Sequence, residues 1–160
     1  MSLSKASVQS QISWTQQSST SGFVKTQQGP DKVLKSTPIS IASLNEIYVY
    51  KGTLAISGTL TIDLRAVTNL LNESLVFTGV QKLFLSTSAA SITMAPGASN
   101  GLVWFYTGTA PVLTVKAGGG ITLDDGGLTV VDATHKTLTI TNLSSTLTTY
   151  IELAIIGTSL

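Results

Sequence analysis

The stretch GGGITLDDGGLTV (118–130) sets three glycines, two adjacent aspartates and two more glycines around short apolar runs. Glycine loops with carboxylates can cradle a phosphate, ligate calcium or simply turn a chain. A P-loop needs a lysine after its glycines, and none follows here. A dinucleotide fingerprint needs glycines that open a helix, whereas Ile121-Thr122-Leu123 reads as strand. An EF-hand loop needs oxygen ligands at alternate positions and a distant glutamate, and both are missing. Asp125-Gly126 between alternating apolar runs is a hairpin signal, because a primed turn needs positive φ. The expectation is a tight corner, with Gly118 to Gly120 giving a bulge or a close backbone crossing. The alternative is a weak calcium site through Asp124 and Asp125.

Other reactive sets are thinner. His135 is the only histidine, Asp132 precedes it by three, and Ser144 or Ser145 could complete a Ser-His-Asp set. In a chain so rich in serine, a serine near the histidine carries little information, and ATHK (133–136) reads as a polar turn. A zinc site would need carboxylates gathered around His135, and a glycosidase pair would have to be drawn from scattered acids. The expectation is a non-enzymatic protein with no catalytic, cofactor-binding or metal-ligating residues. The aromatics Trp14, Phe23, Trp104, Phe105 and Tyr106 are candidate interface residues. The run Trp104-Phe105-Tyr106 suits packing on one side of a strand and a partner, sugar or base on the other.

The elements that must position these residues follow from a period of two. In TLAISGTLTIDL (53–64), Leu54, Ile56, Leu60, Ile62 and Leu64 take even positions, while Thr53, Ser57, Thr59, Thr61 and Asp63 take odd ones. That alternation makes a strand, or two strands bent at Gly58, with one buried and one wet face. It recurs in VLTVK (112–116), GLTVVD (127–132), KTLTITN (136–142) and YIELAII (150–156), with shorter runs such as QISWTQ (11–16), SITMA (91–95) and GLVWFY (101–106). Turn residues separate the runs at spacings near ten, the pattern of an antiparallel sandwich or barrel. Only RAVTNLLNES (65–74) has spacing for a short helix, with Leu70 and Leu71 inward. The fold class is all-β, an antiparallel β-sandwich or jelly-roll-like domain with one short helical connection. The Thr-x-Thr elements at 59/61 and at 137/139/141 stand 78 residues apart with no repeat between them, which reads as β-propensity on a wet face.

Composition limits the partners. The chain has 160 residues, no cysteine and 11% charged residues, against about 25% in ordinary soluble domains. Disulfides and thiolate chemistry are excluded, and a net charge of +1 offers no basic field for a nucleic acid. Ser and Thr supply about a quarter of the chain. No run approaches the roughly 20 apolar residues of a membrane span, and MSLSKASVQS lacks the apolar core of a signal peptide, so synthesis in the cytoplasm without a leader is expected.

The passage TLTIDLRAVTNLLNESLVFTGVQKLFLSTS (59–88), with its V-F-T-x-V-Q-K-L-F-L segment, and the closing TYIELAIIGTSL (149–160) resemble a group of small phage-associated structural proteins. In that group a D-L-T-x-L-type segment leads into a V-K-A-L-type strand, and the chain ends on an I-G-T-S-like motif. The resemblance covers roughly residues 47 to 160. It implies a virion component with a β-sandwich or jelly-roll fold and carries no catalytic or cofactor residues. Gly79 and Gln81 depart from the group's pattern and leave the strand register there open. The implied role is a bacteriophage head decoration (cement) protein, homotrimeric, binding the major capsid protein between capsomers on the capsid surface. The alternative is the receptor- or glycan-binding head of a fibre or spike. Low charge supports the first role independently, since uncharged faces are cheap to desolvate. Residues 1–45 read as an N-terminal arm with short strands, polar and rich in Gln and Ser, and residues 46–160 as the sandwich domain.

Overall fold

A computed structural model describes residues 7–17, 27–38, 46–69, 73–104 and 111–159. The chain divides into two units, residues 5–40 and residues 41–160 with 1–4. In the first, β1 (Ser7–Gln17) and β2 (Gln27–Pro38) form an antiparallel ribbon, Ser7 opposite Pro38 and Gln17 opposite Gln27. The ladder shifts between Trp14 and Gln16, where Gly29 and Pro30 fall. Proline has no N–H to give to a ladder, so it sits where pairing is interrupted.

The second unit is a two-layer sandwich. The strands of its two layers are β3 (Glu46–Leu54), β4 (Thr59–Asp63), β7 (Phe77–Thr87), β8 (Ile92–Pro96), β9 (Leu113–Val115), β10 (Gly120–Val130), β11 (Thr137–Asn142) and β12 (Thr149–Ser159). One sheet runs in the order β10-β7-β12-β3 and the other β4-β11-β8-β9, with every pairing antiparallel. The chain changes sheet at each connection except β8 to β9. This strand order is that of the eight-stranded jelly roll. The expected alternation is met: in β11 Leu138, Ile140 and Asn142 are buried, and in β12 Ile151, Leu153 and Ile155 are buried. Both sheets contribute to one core, with Ile62, Ile92, Met94 and Ile140 meeting Phe77, Leu85 and Leu153.

β7 shows how the open register question resolves. Its core residues Phe77, Val80, Leu83 and Leu85 are spaced by three, three and two, so a plain strand would turn some of them outward. Two irregularities against β12 absorb the excess, because Phe77 pairs Ser159, Gly79 pairs Thr158, Val80 pairs Gly157 and Lys82 pairs Ile156. Thr78 and Gln81 are the extra residues, each a bulge that restores the inward side. Gly157 is required there: a Cβ would lie 2.0 Å from the Gly79 carbonyl oxygen.

Three expectations are corrected. No helix occurs among the described residues of 65–74; instead β5 (Val67–Thr68) and β6 (Ser74–Leu75) pair as a short ribbon, with the Asn69 side chain and backbone both hydrogen-bonded to Glu73. Burial of Val67 and Leu75 in the core holds the ribbon against the local helical spacing; Leu70 and Leu71 lie outside the described residues. Asp125-Gly126 makes no hairpin, since β10 runs through it and pairs β7 on both sides, Asp124 with Lys82 and Thr129 with Val80. Four residues of β10 there face one of β7, a wide bulge. Long-range pairing has overruled the local turn signal. The corner lies earlier, where the Gly119 amide donates to the Lys116 carbonyl and Gly118 takes φ +70°. GLVWFY also forms no strand over its described residues; the Leu102 amide donates to the Thr137 carbonyl, and Leu102 and Trp104 enter the core.

Candidate interaction surface

The reactive sets of the sequence separate in space. Asp132 Oδ1 accepts from the Thr134 amide at 2.7 Å, the Thr134 hydroxyl at 2.9 Å and the His135 amide at 2.8 Å, with His135 Nδ1 3.2 Å away. These donors, the Thr134 amide first, hold the Asp132 carboxyl well below the usual carboxylate range. The group closes an exposed turn before β11, while Ser144 and Ser145 follow β11. Six strand residues, about 20 Å, part the histidine from both serines. Asp124 is the ion-pair partner of Lys82, whose side chain is on the outer face of its sheet yet 3% exposed. No group of three or more metal-capable side chains occurs among the described residues. Trp104 is 1% exposed and packs in the core, so it offers no surface. Phe23, Phe105 and Tyr106 lie outside the described residues, and Trp14 is described only by its place in β1.

What the fold assembles instead is one end of the sandwich. The connections β3–β4 (55–58), β7–β8 (88–91), β9–β10 (116–119) and β11–β12 (143–148) meet there, as the alternation between sheets requires. Lys116 is the only charged residue in the four. Asn142, 2% exposed at the end of β11, ties two of them: its Nδ2 donates to the carbonyls of Ala55 (2.9 Å) and Leu147 (2.8 Å), and its Oδ1 accepts from the Ser144 amide (3.0 Å). The Ser57 amide donates to the Ser144 carbonyl at 2.9 Å. Thr149 ties the β7–β8 connection, its hydroxyl accepting from the amides of Ala89 (3.0 Å) and Ala90 (3.1 Å). The Thr87 hydroxyl donates to the Ala90 carbonyl, so Thr149 donates the 2.8 Å bond between the two threonines. Ser91 joins the rest, taking the Leu143 amide on its carbonyl and the Ala117 amide on its hydroxyl.

On this braced frame stand Ile56 (48% exposed), Leu143 (53%), Leu147 (52%) and Tyr150 (44%). Exposed apolar groups on loops that cannot fold away from water suit a partner surface. Sequence reasoning passed over them, because Ile56 reads as one more even-position core residue and Leu143 and Leu147 as turn residues. The signal available was Asn142, a polar residue at an inward position of β11.

Two further surfaces stand out among the described residues. The separated threonine groups come together, since Thr59 pairs Thr141 and Thr61 pairs Thr139, and Thr141, Thr93 and Thr114 continue the row across β11, β8 and β9. Tertiary pairing, not a repeat, builds this charge-poor hydroxyl face. Between β3 and β4, the unpaired edges of the two sheets, lies a groove of about 410 Å³ lined by Tyr48, Tyr50, Leu60, Ile62, Asp63 and Val67. Burial, and then the neighbouring Tyr50, push the Tyr48 hydroxyl above its ordinary value. No protein-family model matches the chain, and no curated protein is significantly similar to it.

Proposed function

We propose that this protein is a non-enzymatic virion component, a bacteriophage head decoration protein that self-associates as a homotrimer and reinforces the shell by binding the major capsid protein between capsomers. The braced, nearly uncharged loop end carries the reading. Its frame is pre-ordered, so docking costs little conformational entropy, and its one lysine leaves little charge to desolvate. The jelly roll and the hydroxyl faces are compatible with it: they leave a soluble protein whose work is done through surfaces. A glycan-binding head on a fibre would draw on the run Trp104-Phe105-Tyr106, of which Trp104 is buried in the core.

Cryo-electron microscopy of the particle encoded with this gene tests the reading. Jelly-roll density at regular positions over the shell, loop end inward, is expected. A Leu143→Lys/Leu147→Lys double variant that stays folded should no longer co-sediment with shells. Density confined to the tail, or undiminished binding by the variant, would overturn it.

A further inference from the structure

The two sides of the sandwich are finished differently. On one side, the edge strand β9 is only three residues long and β10 is broken by its wide bulge, both of which discourage pairing with another chain. On the other side, β3 offers a nine-residue edge with no proline and two charges, Glu46 and Lys51, and Lys51 is held by Glu152 at 2.9 Å. Beside that edge the core is unsealed, with Tyr48, Tyr50 and Leu60 packed on it yet only partly buried along the groove. An edge this long and bare, over an apolar groove, is built to receive a strand.

The β1–β2 ribbon is the complementary half. Two strands alone are marginal in water and need a third surface. Its two edges differ: β2 contains Pro30, Asp31, Lys32, Lys35 and Pro38, the devices that protect an edge, whereas β1 (SVQSQISWTQQ) has neither charge nor proline. β1 also places Val8, Ile12 and Trp14 at alternate positions. Residues 5–40 hold four lysines and one aspartate, a net +3, and residues 41–160 hold five cations and seven acids, a net −2.

We infer that β1 of one copy adds to the free edge of β3 in a second copy, bringing Ile12 and Trp14 to the groove of Tyr48 and Tyr50. In the sequence β2 is the strand next before β3, and it carries the prolines and charges, whereas β1 has the unguarded edge suited to a neighbour. The contact joins different surfaces on the two copies, the kind that builds a ring where the rotation between copies closes, and the trimer of the proposed function, on which this inference rests for its oligomer, is such a ring.

The cysteine-free chain allows a direct test. Full-length Ser13→Cys protein is mixed with full-length Thr53→Cys protein and treated with a short bis-maleimide. A covalent heterodimer is expected, with Ile12→Asp lowering its yield about tenfold or more, as for loss of a buried anchor. Native mass spectrometry should show rings that Ile12→Asp disperses. Cross-linking only inside a chain carrying both cysteines, which means docking on its own sandwich, or no cross-linking at all, overturns the inference. No shell is needed, so failure here leaves shell binding through the loop end standing, and cross-linked rings that ignore shells would sink only that reading.

Discussion

Replacing Asn142 probes whether the loop end is braced as described. Its side chain makes three hydrogen bonds, two from Nδ2 and one to Oδ1, all part-buried. A net hydrogen bond contributes about 1 kcal/mol, and a partner left bare inside costs about 1–3 kcal/mol. Asn142→Ala strands the Ala55 and Leu147 carbonyls and the Ser144 amide, so a loss of about 3 kcal/mol is expected. For a chain this long that lowers Tm by roughly 6–12 °C. Asn142→Asp is the sharper variant. It keeps the shape but, ionised, turns an acceptor toward both carbonyls, so it should fall below the alanine variant at pH 7 and recover toward it in acid. Urea unfolding followed by fluorescence reads both, with the m-value unchanged if only the native state is affected. An alanine variant within about 0.5 kcal/mol of the parent, or an aspartate variant more stable than alanine at pH 7, would refute the brace.

Ile62→Ala should cost about 2–5 kcal/mol, and Thr61→Ala less than about 0.5 kcal/mol, because Ile62 is buried while Thr61 is exposed on the same strand; equal losses in thermal melts would mean both faces are covered. Gly157→Ala should destabilise by at least about 2 kcal/mol, since its Cβ meets backbone rather than a movable side chain, whereas Gly127→Ala, with nothing within 4 Å, should be neutral within about 0.5 kcal/mol. Asp124→Asn removes the counter-charge of the nearly buried Lys82 and should cost about 1–3 kcal/mol, held to that range because Asp124 itself is a third exposed, and read as a lower urea midpoint at unchanged m-value; added calcium should leave Tm unmoved. Burial alone would raise the Asp63 carboxyl, but hydrogen bonds from Lys136 Nζ (2.6 Å) and the Arg65 amide (2.9 Å), with both charges, hold it below its ordinary value. The folded state therefore favours the carboxylate, and its stability contribution is present above the unfolded value of about 4 and lost as pH falls through the lower folded one. Melts from pH 6 to pH 2 should show that fall, reduced in Asp63→Asn.

Much of the fold was legible because strands such as β4 and β11 keep one face wetter than the other. Thr-x-Thr beside Leu-x-Ile states the inward side of β4 and β11 in the residues themselves. Where burial is two-sided or the strand bulges, the period fails: β7 keeps its apolar residues inward only through extra residues at Thr78 and Gln81, which partner strands impose. The same cause defeats the Asp-Gly hairpin and the 65–74 helix, for local preferences of a kcal/mol or so yield to a ladder and a core. The interaction surface was the least legible. Its parts come from four connections spread over nearly a hundred residues, and only the tertiary path makes neighbours of Ser57 and Ser144.

The place of β12 has a kinetic consequence. It lies between β7 and β3, so until β12 has been synthesised β3 has no partner in its sheet and β7 can pair only with β10. Ties such as Thr78 to Thr158 span 80 positions of chain, and loops that long must close before any of their contacts form. Such a topology folds slowly, on the order of milliseconds to seconds. Until then β3 and β7 present open edges to every other copy being made, and the scarcity of charge that suits assembled surfaces leaves those edges poorly guarded. Yield of soluble protein should therefore respond to expression rate and temperature more than to native stability, and what competes with the finished sandwich is its own half-made sheet.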